Sequence, residues 1–68
     1  IVNLKSLIAI AYMEGGNIDI GLEHISAISK EYPNPERGTY YQRAVVLINN
    51  TAGNYQETID FFKKFNPI

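Results

Sequence analysis

Gly15-Gly16-Asn17-Ile18 and Ala52-Gly53-Asn54-Tyr55 lie 37 residues apart, and each separates two segments whose apolar residues recur at helical spacing. Glycine ends a helix at low cost because, without a Cβ, it takes up the left-handed backbone of a C-terminal cap. Asn starts a helix well because its short side chain can accept a bond from an orphan amide of the first turn. A stop and a start within four residues, made twice, predicts two helix–turn–helix hairpins.

Upstream of the first turn, residues 3–14 carry Leu4, Leu7, Ile8, Ala11 and Tyr12 at spacings of three and four. That is the stripe of an amphipathic helix, with Asn3 as its N-cap. Ile10 and Met13 fall off the stripe, so this helix is expected to pack on two sides. Downstream, Asn17 caps a second helix over 17–32, with Asp19 in its first turn and Lys30 in its last, both favourable to the helix dipole. Its stripe is Ile18, Leu22, Ile25, Ile28 and Tyr32, widened by Ala27. Gly21 inside a helix costs about 1 kcal/mol against Ala, and it predicts the close approach of a neighbouring helix.

Pro33-Asn34-Pro35 breaks that helix and opens a third over 35–49, with Asn34 as N-cap and Pro35 in the first helical position. Tyr41, Ala44, Val45 and Ile48 form its apolar face, with Tyr40 and Leu47 beside them. Residues 49–53 read as the second turn. A fourth helix over 54–65 begins with Asn54 and Glu57 in capping-box spacing and carries Thr58, Phe61, Phe62 and Phe65 on one face. The expected fold is all-α: four helices in two antiparallel hairpins, stacked as a short α-solenoid in a single domain. Unit 1 covers about 3–33 and unit 2 about 34–67.

Composition narrows the function. With 68 residues, no cysteine and one histidine, the chain has neither disulfides nor the makings of a metal site. Six basic and seven acidic residues are spread along it, so no basic stripe suggests nucleic acid. The longest apolar run, Leu7 to Met13, is far short of the ~20 residues that span a bilayer. No charged segment precedes it as in a signal peptide, and a cytoplasmic location is expected. A first residue of Ile suggests a fragment of a longer repeat protein.

The two halves align. The second helices superpose at 37 residues, placing Asn17 on Asn54, Leu22 on Ile59, Ile25 on Phe62 and Ile28 on Phe65. The first helices align at 36, placing Ile8 on Ala44, Ala9 on Val45 and Tyr12 on Ile48, a slip assigned to a longer second turn. Here the chain resembles the tetratricopeptide repeat (TPR), a helix–turn–helix unit of about 34 residues. In unit 1, Ile8 and Ala9 match the leucine and small-residue pair, Tyr12 the tyrosine and Gly16 the turn glycine. Gly21, Ile25 and Pro33 match the small, large and closing positions of the second helix. Lys5 departs where an aromatic is usual, and Ile28 where a small residue is usual. In unit 2, Gly53, Tyr55, Thr58 and Phe62 fit, whereas Ile48 and Phe65 do not.

No residue set points to catalysis. His24 has only Ser26 and Ser29 as nearby hydroxyls, and residues two apart on a helix face different ways, so it reads as a packing histidine. Asp19 with Glu23, and Glu57 with Asp60, read as helix-start and solvated-face carboxylates. Asn49-Asn50-Thr51 has the spacing of a glycosylation acceptor but reads as a turn. In Phe61-Phe62-Lys63-Lys64-Phe65 the rings are expected in the core and the lysines at a helix C-terminus. No enzyme activity, cofactor or metal is expected.

The resemblance implies a scaffold for protein or peptide binding, with the groove lined by the first helix of each unit. Carried over by position, that groove takes Asn3, Ser6, Leu7, Ile10, Met13 and Glu14 from unit 1. From unit 2 it takes Thr39, Gln42, Arg43, Val46, Asn49 and Asn50. Some members clamp a terminal carboxylate with basic and Asn residues; Ser6 and Ile10 stand there instead. An extended peptide or apolar helix, with Arg43 pairing an acid, is the expected partner. The alternatives are self-association or packing against flanking repeats, and the ligand-sensing part of a peptide-responsive bacterial transcription regulator.

Overall fold

The computed structural model describes residues 1–32 and 38–65. Among these residues there are four helices and no strand: α1 (Val2–Glu14), α2 (Ile18–Glu31), α3 (Thr39–Thr51) and α4 (Tyr55–Phe65). The hairpin α1–α2 packs on α3 through both its helices, and α3 in turn carries α4. The chain is all-α, as its periodicity predicts.

The two glycine turns have one geometry. Gly16 at φ +91° and Gly53 at φ +81° sit in the left-handed region that favours glycine. Ahead of the first, the amides of Gly16 and Asn17 donate to the carbonyls of Met13 and Tyr12 at 3.0 and 2.8 Å. Ahead of the second, Gly53 and Asn54 donate to Asn50 and Asn49 at 3.1 and 2.8 Å. Both are Schellman closures, in which two carbonyls orphaned at the helix end are satisfied by the residues just beyond it. Each turn is three residues long, 15–17 and 52–54, so the second is not the longer. The 37-residue register therefore runs back through the ends of α1 and α3, and the 36-residue alignment of the first helices is corrected.

Helix ends differ from expectation in particular ways. α1 starts two residues early, with Ile1 in the capping position and Asn3 inside the first turn. Asn17 does hold the N-cap position of α2, but its side chain makes no capping bond. The expected cap Asn34 and first-position Pro35 lie outside the described residues; α3 begins at Thr39 after an extended Gly38. At its other end α3 continues through Asn49, Asn50 and Thr51, which were expected in the turn. Their polar groups are accommodated by back-bonding: the Asn49 Nδ2 donates to the Val45 carbonyl and the Thr51 Oγ1 to the Leu47 carbonyl.

The core is one cluster: Ala9 and Ile10 of α1, Ile25 and Ile28 of α2, and Tyr41, Ala44, Val45 and Ile48 of α3. Val2, Met13, Ile18, Leu22, Tyr32 and Phe61 pack around it. The faces read for α2 and α3 are thus the buried ones, except that the flanking Ala27, Tyr40 and Leu47 are exposed. The face read for α1 is not: Leu4, Leu7, Ile8, Ala11 and Tyr12 are all exposed, and Ser6, Ala9 and Ile10 point inward. Close packing is the reason. α1 meets α2 and α3 together, and at Gly21 the α2 backbone comes so near that an added Cβ would lie 3.0 Å from the Ala9 carbonyl oxygen and 3.4 Å from the Ile48 Cδ1. Only small side chains fit such an approach, so Ser6 and Ala9 face it, with Ile10 buried beside them, while Leu4, Leu7, Ile8 and Tyr12 stay exposed. The close approach inferred from Gly21 is present.

Candidate functional site

The twelve expected groove residues do not form one surface. Ser6, Ile10 and Asn49 are buried, which removes them from any groove. Ser6 donates its hydroxyl to the Val2 carbonyl at 2.7 Å, so the polar atom is satisfied within α1. Met13, Gln42 and Val46 are half-buried. Asn3, Leu7, Glu14, Thr39, Arg43 and Asn50 are exposed. Asn50 is already engaged, its Oδ1 accepting the Thr58 hydroxyl at 2.9 Å and tying α3 to α4.

The two units depart for different reasons: Ser6 and Ile10 are buried by the close packing of α1, whereas in unit 2 the register is at fault. The unit 2 residues were set 36 positions beyond those of unit 1, whereas the turns impose 37. In the corrected register Asn3, Ser6, Ile10 and Met13 correspond to Tyr40, Arg43, Leu47 and Asn50. These four recur at spacings of three and four along α3, and all are exposed. Tyr40 and Leu47 were missed, although counting back equally from Gly16 and Gly53 finds them. On α1, the residues turned toward α2 are Lys5, which meets Glu31, Tyr12, which meets His24, and Ile8, which lines a concavity with Ala27. Asn3, Leu7 and Glu14 follow one another on the opposite side of that helix. The open faces of α1 and α3 together are amphipathic: Leu7, Tyr40 and Leu47 among Asn3, Glu14 and Arg43.

Two concavities lie elsewhere. A cleft of about 510 Å³ runs between α2 and α4 over α3. Leu22, Ile25, Tyr41, Val45 and Phe61 line it along with Ser26, Ser29, Glu57, Asp60 and Lys64. The second, about 240 Å³, lies between α1 and α2 and includes Lys5, Ile8, His24 and Glu31. His24 therefore opens on one side of α2 and Ser26 and Ser29 on the other, so the ring and the hydroxyls do not converge. The His24 ring instead meets Tyr12 edge-to-face, with centroids 5.0 Å apart. Among the described residues no group of three His, Asp or Glu could hold a metal ion, and no helix is long and apolar enough to cross a membrane.

Electrostatics single out one group. The Lys5 Nζ lies 2.9 Å from Glu31 Oε2 and 5.2 Å from the centre of the Tyr32 ring. The Glu31 hydrogen bond, reinforced by Tyr32, holds the Lys5 ammonium above the usual lysine range. The acceptor-like Asn49 is buried with its amide nitrogen bonded to Val45, so the glycosylation pattern at 49–51 has no free amide to offer. In the Phe61-Phe62 pair, Phe61 packs on the core and meets Tyr41 at 6.0 Å between centroids, but Phe62 is exposed, against expectation. Compared with protein-family models, curated proteins and solved structures, the chain matches none.

Proposed function

We propose that this chain is a non-catalytic interaction module of TPR-like hairpin repeats, a scaffold that binds a protein or an extended peptide, and that it works in the cytoplasm. One observation carries the reading: the exposed row Tyr40, Arg43, Leu47 and Asn50 along one face of α3. Apolar side chains set among amide and guanidinium groups suit a ligand with alternating apolar and polar positions. Tyr40 offers a large surface at little rotamer cost, and Arg43 a fork for a carboxylate. The duplicated Schellman hairpin adds support, because stacked hairpins hold such rows on rigid helices.

The test is selection of peptides from a random library on the purified chain, followed by the Tyr40→Ala/Arg43→Ala/Leu47→Ala variant. Selected peptides should carry apolar residues with an acidic one, and the triple variant should lose them while keeping its helical circular dichroism. Equal binding by a folded triple variant would sink the reading.

A further inference from the structure

The 37-residue correspondence pairs each buried row of the interface between hairpins with an exposed row at an end of the molecule. In the interior, α3 presents Tyr41, Ala44, Val45, Ile48 and Asn49 to the first hairpin and the adjoining cleft, and all five are buried. Their counterparts on α1 are Leu4, Leu7, Ile8, Ala11 and Tyr12, and all five are exposed. The receiving side behaves alike. Ile18, Leu22 and Ile25 of α2 are packed in or against the core, while their counterparts Tyr55, Ile59 and Phe62 on α4 stand 63, 47 and 37% exposed. The exposed faces of α1 and α4 thus correspond to the two halves of the joint made between the hairpins.

We infer that this chain self-associates head to tail: the α1 face of one copy docks on the α3–α4 face of the next, as α3 docks on α1 and α2. Chemistry agrees at three points. The donor row stays apolar, since Leu4, Ile8 and Tyr12 stand where Tyr41, Val45 and Asn49 do. On α4 the receiving row stays apolar and grows larger, with aromatic rings in place of Ile18 and Ile25; on α3 it is mixed, with Arg43, Leu47 and Asn50 in place of Ser6, Ile10 and Met13. At the rim, the interior cleft is lined by Ser26 and Asp60, and their counterparts across the junction are Lys63 of one copy and Glu23 of the next, an opposite-charge pair. Arg43 replaces the buried Ser6, and its long stem lets the guanidinium reach the rim. Such a joint is heterologous: it leaves one free face at each end and so does not stop at a dimer.

Sedimentation velocity on the 68-residue chain, from micromolar to millimolar, reads this directly; the average mass should climb past that of two chains. Ile8→Glu spoils the donor face and Ile59→Glu the receiving face, both at exposed positions, so each variant alone should remain monomeric. Mixed in equal amounts, they should form a complex of two chains and no larger, because only one intact joint can be made. Leu4→Glu and Tyr55→Glu, at positions each 63% exposed, repeat the experiment if either first variant loses helical circular dichroism. A wild-type chain that stays monomeric at millimolar concentration, a variant that still polymerises, or a mixture that stays monomeric would each overturn the inference.

Discussion

The Gly21 backbone of α2 approaches α1 so closely that a methyl group there would stand 3.0 Å from the Ala9 carbonyl oxygen. Two effects compete in Gly21→Ala. Helix propensity favours Ala by about 1 kcal/mol, while overfilling a packed contact costs about 1–3 kcal/mol. The carbonyl is backbone and cannot swing aside as a side chain would, so the steric cost should win. Gly21→Ala is expected to lower stability by about 1 kcal/mol, or roughly 4–8 °C in Tm for a domain of this size. A higher Tm would mean that the helices separate freely at this point.

The turn glycines answer to a different constraint. Nothing lies within 4 Å of a Cβ added at Gly16 or Gly53, so Ala there meets no neighbour. Its cost is the left-handed backbone alone, about 1–2 kcal/mol at each site. Gly16→Ala and Gly53→Ala should therefore destabilise the chain by similar amounts, and Asn at either position by less. Urea unfolding of the four variants checks this. A large difference between the two sites would break the equivalence on which the 37-residue register rests.

How far the sequence could be read depended on how each helix divides its surface. α2 and α3 alternate apolar with polar residues, so the spacing of Ile25 and Ile28, or of Tyr41, Val45 and Ile48, picks out the buried face. α1 is apolar on nearly every side, and periodicity cannot choose between its rows. The row it favours, Leu4 to Tyr12, is the counterpart of the buried row of α3, but α2 meets only its Ile8–Tyr12 edge and the row stays exposed. Small residues at Ser6 and Ala9 decided the matter: Gly21 announces a close approach, but not which face of α1 meets it. Positions in unit 2 of the candidate groove depended on one residue of register, whereas Ser6 and Ile10 of unit 1 were lost to the packing of α1. That information was present in the equal turns, but obscured by Asn49, Asn50 and Thr51, which look like loop residues and are helical because they bond back to their own helix.

Ile48 is fully buried and touches the point where α1, α2 and α3 converge. Truncation to Ala removes three carbons and leaves a void, at a cost of about 2–5 kcal/mol. A domain this small rarely holds more than ~3–5 kcal/mol in total, so Ile48→Ala should be largely unfolded at room temperature. Ile48→Val should cost about 0.5–1.5 kcal/mol and stay folded. Leu4→Ala, on the exposed row of α1, should shift stability by no more than ~0.5 kcal/mol in a monomeric sample. Thermal melts at low concentration separate the three. A folded Ile48→Ala with an unchanged melt would contradict the assignment of the core.

The Lys5–Glu31 contact links the start of α1 to the end of α2 and titrates with a definite sign. A lysine whose pKa is higher folded than unfolded adds stability that is complete below the ordinary lysine value and lost as the pH rises through the raised one. Because Glu31 and Tyr32 raise the Lys5 pKa, ammonium loss from this pair should leave stability flat across neutral pH and erode it only in strongly alkaline solution. Both side chains are largely solvated, at 41 and 54% exposure, so the effect should be small and should shrink with added salt. Following the Lys5 ε-methylene resonances through an alkaline titration measures the shift directly. Glu31→Gln should move that titration back toward the ordinary lysine range, and a midpoint left unchanged by the substitution would show that the carboxylate does not hold the ammonium in solution.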